Sequence, residues 1–147
     1  MTLAASTDMV ASFRSIQDAF EFVSFGPEYE HNAFLCKRTG KIYCQSEVGG
    51  GDEELPVDLD DEQKYIAIPH KNDLDLGKRL ALDFTAQFLE NEFEKVQDIF
   101  RHKGAYARFK DMLERNGILA QWYEFEAKAQ EQALRKWCEV TSIEISG

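Results

Sequence analysis

Hydrophobic positions along this chain change period near its middle. Ile16, Ala19, Phe20 and Val23 recur at helical intervals behind Ser12 and Ser15, either of which suits a helix cap, so a short helix is predicted to run to about Phe22. Gly26-Pro27 ends it. His31–Lys37 and Lys41–Gln45 read as two strands joined by Arg38-Thr39-Gly40, in which the third-position glycine suits a left-handed residue and a G1 bulge. A three-residue loop sets Cys36 opposite Ile42 and Cys44 opposite Phe34, with all four side chains on one face. Tyr65-Ile66-Ala67-Ile68 is a third strand, within 64–68, stopped by Pro69.

After that strand the pattern is helical. Leu76, Leu80, Phe84 and Phe88 follow one another at i+4 steps and predict a helix from about Leu74 to Leu89; Leu82 and Leu89 fall on another side, so burial on more than one face is expected. Asn91 with Glu94 forms a capping-box-like start for a helix that carries Phe93, Val96 and Phe100 and ends near His102. Gly104 precedes a stripe of Ala105, Tyr106, Phe109, Met112 and Leu113, ended by Asn116-Gly117. The last helix is predicted from about Ile118 to Trp137, with Ile118, Leu119, Trp122, Phe125, Ala129, Ala133 and Trp137 on its apolar face. Glu126 interrupts that face, and a buried lone charge is costly, so it must reach a cation, Arg108 first among candidates, or solvent. The fold class is therefore α+β: a small three-stranded antiparallel sheet (hairpin 31–45 plus strand 64–68) packed with about five helices, the C-terminal half all helical.

A chain of 147 residues is long enough to bury a core, and it reads as a single domain, 1–147, with 1–11 frayed. Residues 46–62, SEVGGGDEELPVDLDDE, combine three consecutive glycines with eight carboxylates and read as a mobile acidic loop. The formal charge of −10 is uneven: residues 1–70 hold five Lys/Arg against thirteen Asp/Glu, and residues 71–147 hold twelve against fourteen. Such a field opposes non-specific nucleic-acid binding and anionic membranes, and is compatible with a basic protein partner. The start MTLAASTDMV has neither a basic nor a long apolar segment, which predicts no secretory signal, and no apolar run is long enough to cross a membrane. Three cysteines, an odd number, fit reduced thiols in the cytoplasm, and the expected diagonal placement of Cys36 and Cys44 disfavours a bridge.

Little chemistry is written in local motifs. The acidic loop misses the calcium-loop spacing, as does Asp73-Leu74-Asp75-Leu76-Gly77, and no metal site is predicted. His31, His70 and His102 have no metal-like spacing to a cysteine, and no nucleophile elbow, Walker loop or Rossmann glycine series occurs. No catalytic residue and no cofactor is assigned. The one constellation is Arg101, Lys103, Arg108 and Lys110 around Gly104, where the start of a helix directs backbone N–H groups outward; it is the candidate anion site, for phosphate or a phosphorylated metabolite. Tyr106, Trp122 and Glu126 would line an adjoining pocket.

Several of these blocks together resemble a known family: the first helix ending in Glu21-Phe22, the hairpin around Thr39-Gly40-Lys41, the acidic loop, Tyr65-Ile66-Ala67-Ile68-Pro69, Gly104-Ala105-Tyr106-Ala107-Arg108-Phe109-Lys110-Asp111, and Trp122-Tyr123 with Phe125. This resembles an uncharacterised bacterial protein family of the "UPF" kind, whose signature is Gly, an aromatic, Arg, Phe and a basic residue in that order. The resemblance implies a bacterial cytoplasmic α+β protein and no particular activity. The expectation is a non-enzymatic cytoplasmic protein acting through protein–protein contact. The alternative is a small enzyme or a ligand- or anion-binding protein with its pocket near Arg108. Oligomeric state is left open.

Overall fold

The computed structural model describes residues 10–26, 30–46 and 55–146. The chain divides into two compact units, residues 1–74 with 133–147 and residues 75–132. The three-stranded antiparallel sheet and five helices of the α+β expectation are present.

The first unit opens with a two-residue strand, β1 (Ala11–Ser12), and helix α1 (Phe13–Ser24). Ser12 caps the helix, its Oγ accepting from the Ser15 N–H at 3.3 Å. Phe13, Ile16, Ala19, Phe20 and Val23 are buried along one side of α1. That side packs on the sheet formed by β2 (His31–Cys36), β3 (Ile42–Ser46) and β4 (Tyr65–Ala67), in the order β3-β2-β4. Burying those side chains stabilises by about 1.5–3 kcal/mol for each large one, the dominant favourable contribution in a sheet–helix layer.

The hairpin register differs by one residue from the sequence expectation. Leu35 faces Ile42, Phe34 faces Tyr43 and Ala33 faces Cys44. The loop has four residues, Lys37–Gly40, rather than three: the Cys36 N–H donates to the Lys41 carbonyl at 2.8 Å, and the Gly40 N–H to the Cys36 carbonyl at 2.9 Å. Gly40 takes φ +79°, the left-handed conformation a side chain would resist. One added loop residue transfers Cys44 to the other face. Ala33 and Leu35 are buried against α1, whereas Phe34 and Cys36 occupy the opposite, outer face with Tyr43, Tyr65 and Ala67. Cys44 is exposed, not core, and the two cysteines of the hairpin point to opposite sides of the sheet.

Beyond β4, Pro69 and His70 lead into a 3-10 turn, Lys71–Leu74. His70 is buried and ties this turn to the end of α1. The Asn72 N–H donates to His70 Nδ1 at 3.0 Å, which assigns the proton to Nε2; that atom donates to the Gly26 carbonyl at 3.1 Å. The Lys71 N–H donates to Ser24 Oγ, and the His70 N–H to Asp73 Oδ2, both at 3.0 Å. The first unit also takes residues 133–140 of the last helix, α5 (Leu119–Val140), where Leu134 and Cys138 are buried and the Arg135 guanidinium lies 4.2 Å from the Phe13 ring centre. Ser142, at φ 61°, ends that helix: the Ile143 N–H reaches the Cys138 carbonyl at 2.8 Å and the Ser142 N–H that of Glu139 at 3.2 Å, the paired bonds of a Schellman cap. The chain then forms β5 (Ile145–Ser146), parallel to β1 with Ala11 opposite Ile145. Ala11 is therefore held, not frayed; residues 1–9 lie outside the described part.

The second unit is helical: α2 (Lys78–Phe88), α3 (Phe93–Ile99), α4 (Ala105–Arg115) and the first part of α5. Two expectations change here. The helix predicted from Leu74 starts only at Lys78, behind Gly77, and the predicted capping box at Asn91 does not form, because a 3-10 turn, Glu90–Glu92, precedes α3 and no side chain caps it. Gly117 ends α4 in the left-handed conformation, with the Ile118 N–H on the Leu113 carbonyl and the Gly117 N–H on that of Glu114, both at 3.0 Å. The centre is aromatic. Trp122 is wholly buried, its ring 5.3 Å from Phe84 and 5.1 Å from Phe109, both edge-to-face. Phe109 also meets Phe100 at 5.6 Å, and Phe100 meets Tyr106 at 5.1 Å.

Candidate functional site

Two pockets open in the first unit, around the outer face and edge of the sheet. The acidic stretch makes them. Residues 47–54 lie outside the described part, but 55–64 form hydrogen-bonded turns rather than a featureless loop. The Asp61 N–H bonds the Asp58 carbonyl at 2.9 Å, and the Lys64 and Tyr65 N–H groups both bond the Asp61 carbonyl at 3.0 Å. The Lys37 N–H bonds the Lys64 carbonyl at 2.9 Å, and Lys37 Nζ donates to the Glu62 carbonyl at 2.7 Å, so these turns are laid against the hairpin loop. Asp58 is the organising acid: Lys64 Nζ sits 2.8 Å from one carboxylate oxygen and the Tyr65 hydroxyl donates to the other at 3.3 Å. The hydrogen bond from Lys64 is the main reason the Asp58 carboxyl lies below its ordinary range, and the same bond raises Lys64.

The first pocket, of about 420 Å³, sits at the loop end of the hairpin and is lined by Cys36, Lys37, Arg38, Asp58, Gln63, Lys64 and Tyr65. Tyr43 and Tyr65, on the strands flanking β2, approach edge-to-face at 6.2 Å on the face that carries Cys36, and Lys41 Nζ stands 4.7 Å over the Tyr43 ring. Burial acts to raise the Cys36 thiol. The hydroxyl and N–H of Thr39, the N–H of Arg38 and the Arg38 charge outweigh it, and the thiol lies below the ordinary cysteine value. Thr39 Oγ1 itself accepts from the Lys41 N–H at 3.2 Å.

The second pocket, of about 580 Å³, runs along β4 and shares Lys37 and Tyr65 with the first. All three residues of β4 line it, with Phe34 and Leu59 adding apolar surface and Asp60 and Glu62 an acidic lip. In the antiparallel pairing with β2, Ile66 turns its N–H and C=O toward Leu35, so Ala67 turns its own outward at the edge.

The residues singled out from sequence lie elsewhere, around α4. Gly104 precedes the helix at φ +74°, is exposed and offers no capping side chain. Arg101 is exposed and 3.9 Å from Asp98, Lys103 and Arg108 are exposed, and Lys110 turns toward α5, 5.7 Å over the Tyr123 ring. Of the adjoining trio, Trp122 is core, while Tyr106 and Glu126 are half-buried and close enough to interact: burial, with the Glu126 charge second, pushes the Tyr106 hydroxyl up to about 12. Among the described residues no group of three or more His, Cys, Asp or Glu is placed to hold a metal ion, and no helix is long and apolar enough to cross a membrane.

Comparison with family models, with curated proteins and with solved structures finds no match. Sequence reasoning missed both pockets because it took 46–62 as one loop. The available signal was that four of the five Lys/Arg of residues 1–70 (Lys37, Arg38, Lys41 and Lys64) flank the hairpin turn and the start of the third strand.

Proposed function

We propose that this protein acts by binding another protein, without catalysis of its own, and that the binding surface is the edge of β4. The observation that supports this reading is the groove along that strand. Its wall combines Phe34, Leu59 and Ile66 with the outward backbone groups of Ala67, which matches an extended segment joining the sheet as an added strand. Asp60 and Glu62 on the lip favour Lys or Arg in that segment, and the excess of thirteen acids over five bases in residues 1–70 attracts a basic partner over longer range. The partner is thus an extended basic segment of another protein.

The test is titration of the whole protein with a library of short basic peptides of alternating apolar pattern, read by amide shifts. Binding should perturb Ala67 and its neighbours. Ala67→Pro removes the outward N–H without touching a bond to β2, and should abolish binding with an unchanged circular-dichroism spectrum; Glu62→Lys should weaken it and reduce its salt dependence. Binding that survives Ala67→Pro, or a library without a ligand at about 1 mM, would remove this reading.

A further inference from the structure

We infer that the pocket at the loop end of the hairpin is a binding site for a small organic phosphate monoester, next to the strand-edge groove with which it shares Lys37 and Tyr65. The charge balance of its wall is the first argument. Lys37, Arg38 and Lys64 contribute three positive charges and Asp58 one negative, in a part of the chain that is otherwise strongly acidic. Not all three cations are already neutralised. Lys64 is paired with Asp58 at 2.8 Å, but Lys37 donates to a neutral carbonyl, that of Glu62, and Arg38 is exposed and forms no ion pair among the described residues. The lining therefore carries more positive than negative charge, which suits an anion. The carboxylates of Asp60 and Glu62 line the neighbouring groove and not this pocket.

Short-range donors make the second argument. The pocket wall includes Lys37 and Arg38 of the hairpin turn, which is held by the Gly40 N–H on the Cys36 carbonyl at 2.9 Å and the Lys41 N–H on Thr39 Oγ1 at 3.2 Å. Arg38 brings a planar fork suited to two phosphate oxygens, and Lys37 a point charge. The third argument is size and polarity. A space of about 420 Å³ is more than inorganic phosphate fills, and the Tyr65 ring supplies an apolar wall, so the phosphate should carry an organic group. Long nucleic acids are disfavoured by the surrounding acidity, which would repel every phosphate outside the pocket.

Cys36 lines the pocket and Cys44 is exposed on the opposite face of the hairpin, which provides a reporter and a control in one molecule. The probes are phenyl phosphate and inorganic phosphate, added to the full chain at pH 7.5 while iodoacetamide labelling of each cysteine is followed by peptide mass spectrometry. Phenyl phosphate should slow labelling of Cys36 several-fold and leave Cys44 unchanged, with inorganic phosphate about tenfold weaker. Amide shifts should centre on Arg38 and Thr39. Arg38→Ala should raise the Kd about tenfold, since a charge-assisted pair of hydrogen bonds is lost. Equal slowing at Cys44, no effect of phenyl phosphate up to about 10 mM, or unaltered affinity in Arg38→Ala would each overturn the proposal. Ala67→Pro should leave phenyl phosphate binding intact, so the two sites fail or stand separately.

Discussion

Replacing His70 with alanine should destabilise the protein by about 2–3 kcal/mol. The side chain is 5 % exposed, and each ring nitrogen holds a backbone group of a different segment: Nε2 the Gly26 carbonyl at 3.1 Å, Nδ1 the Asn72 N–H at 3.0 Å. A hydrogen bond of this kind contributes about 1 kcal/mol net, more where its partner stays dry. Gly26 and Asn72 are exposed residues, so their freed groups regain water and the lower figure applies to both. Losing the buried ring adds about another 1 kcal/mol. The two bonds can be separated. In His70→Gln the amide nitrogen reaches toward the position of Nε2 and should keep the Gly26 bond; in His70→Asn the amide oxygen lies near that of Nδ1 and should keep the Asn72 bond. Each should recover about 1 kcal/mol relative to alanine. Urea unfolding followed by far-ultraviolet circular dichroism measures all three, and for a chain of this size the alanine variant should also melt lower by on the order of 10 °C. If the alanine variant lies within about 0.5 kcal/mol of the native protein, or if neither amide variant exceeds it, the network does not hold these segments together.

Four other outcomes are expected. Phe109→Ala removes the ring between Phe100 and Trp122 and should cost about 3–5 kcal/mol in the same unfolding experiment. Ser142→Gly relieves a left-handed non-glycine residue at the end of α5 and should stabilise by about 1 kcal/mol, read as a raised melting temperature. Tyr106 should be the last tyrosine to ionise in an ultraviolet titration, at about pH 12, and Tyr106→Phe should remove that component. Because the folded value is raised above the unfolded one, the unfolded chain loses this proton first, so the stability this tyrosine supplies is complete below about pH 10 and is lost as pH rises toward 12. At neutral pH Cys36, lowered by its turn donors, should be alkylated faster than Cys138, which burial raises despite the opposing charge of Arg135; mass spectrometry of peptides after brief labelling decides this.

Helices whose physics is local were legible in the chain. Ser12 caps α1 because its hydroxyl needs only the N–H three residues on, and the i, i+3, i+4 spacing from Ile16 to Val23 already states which side is buried. Gly117 ends α4 for an equally local reason, since a left-handed residue there costs glycine least. The aromatic stripe of Phe109 and Trp122 was visible as periodicity, and it became the centre of the second unit.

Tertiary structure decided what depends on pairing distant residues. The hairpin slipped by one because three-residue and four-residue loops around Gly40 are both compatible with the same strands, and the loop length decides whether Ile42 and Cys44 share the face of Cys36 or that of Ala33 and Leu35. Inward packing of Ala33 and Leu35 turns Cys36 outward beside Tyr65, and the four-residue loop leaves Cys44 on the other face. The two-residue pairing of Ala11 with Ile145 joins opposite ends of the chain and leaves no periodic trace, being too short. Lys37, Arg38 and Lys64 are separated by a long acidic stretch in sequence, and they line one pocket because β4 pairs with β2 and the turns of 55–64 hydrogen-bond back to the loop. Charge at a point is a sum over space, and proximity along the chain supplies only part of it.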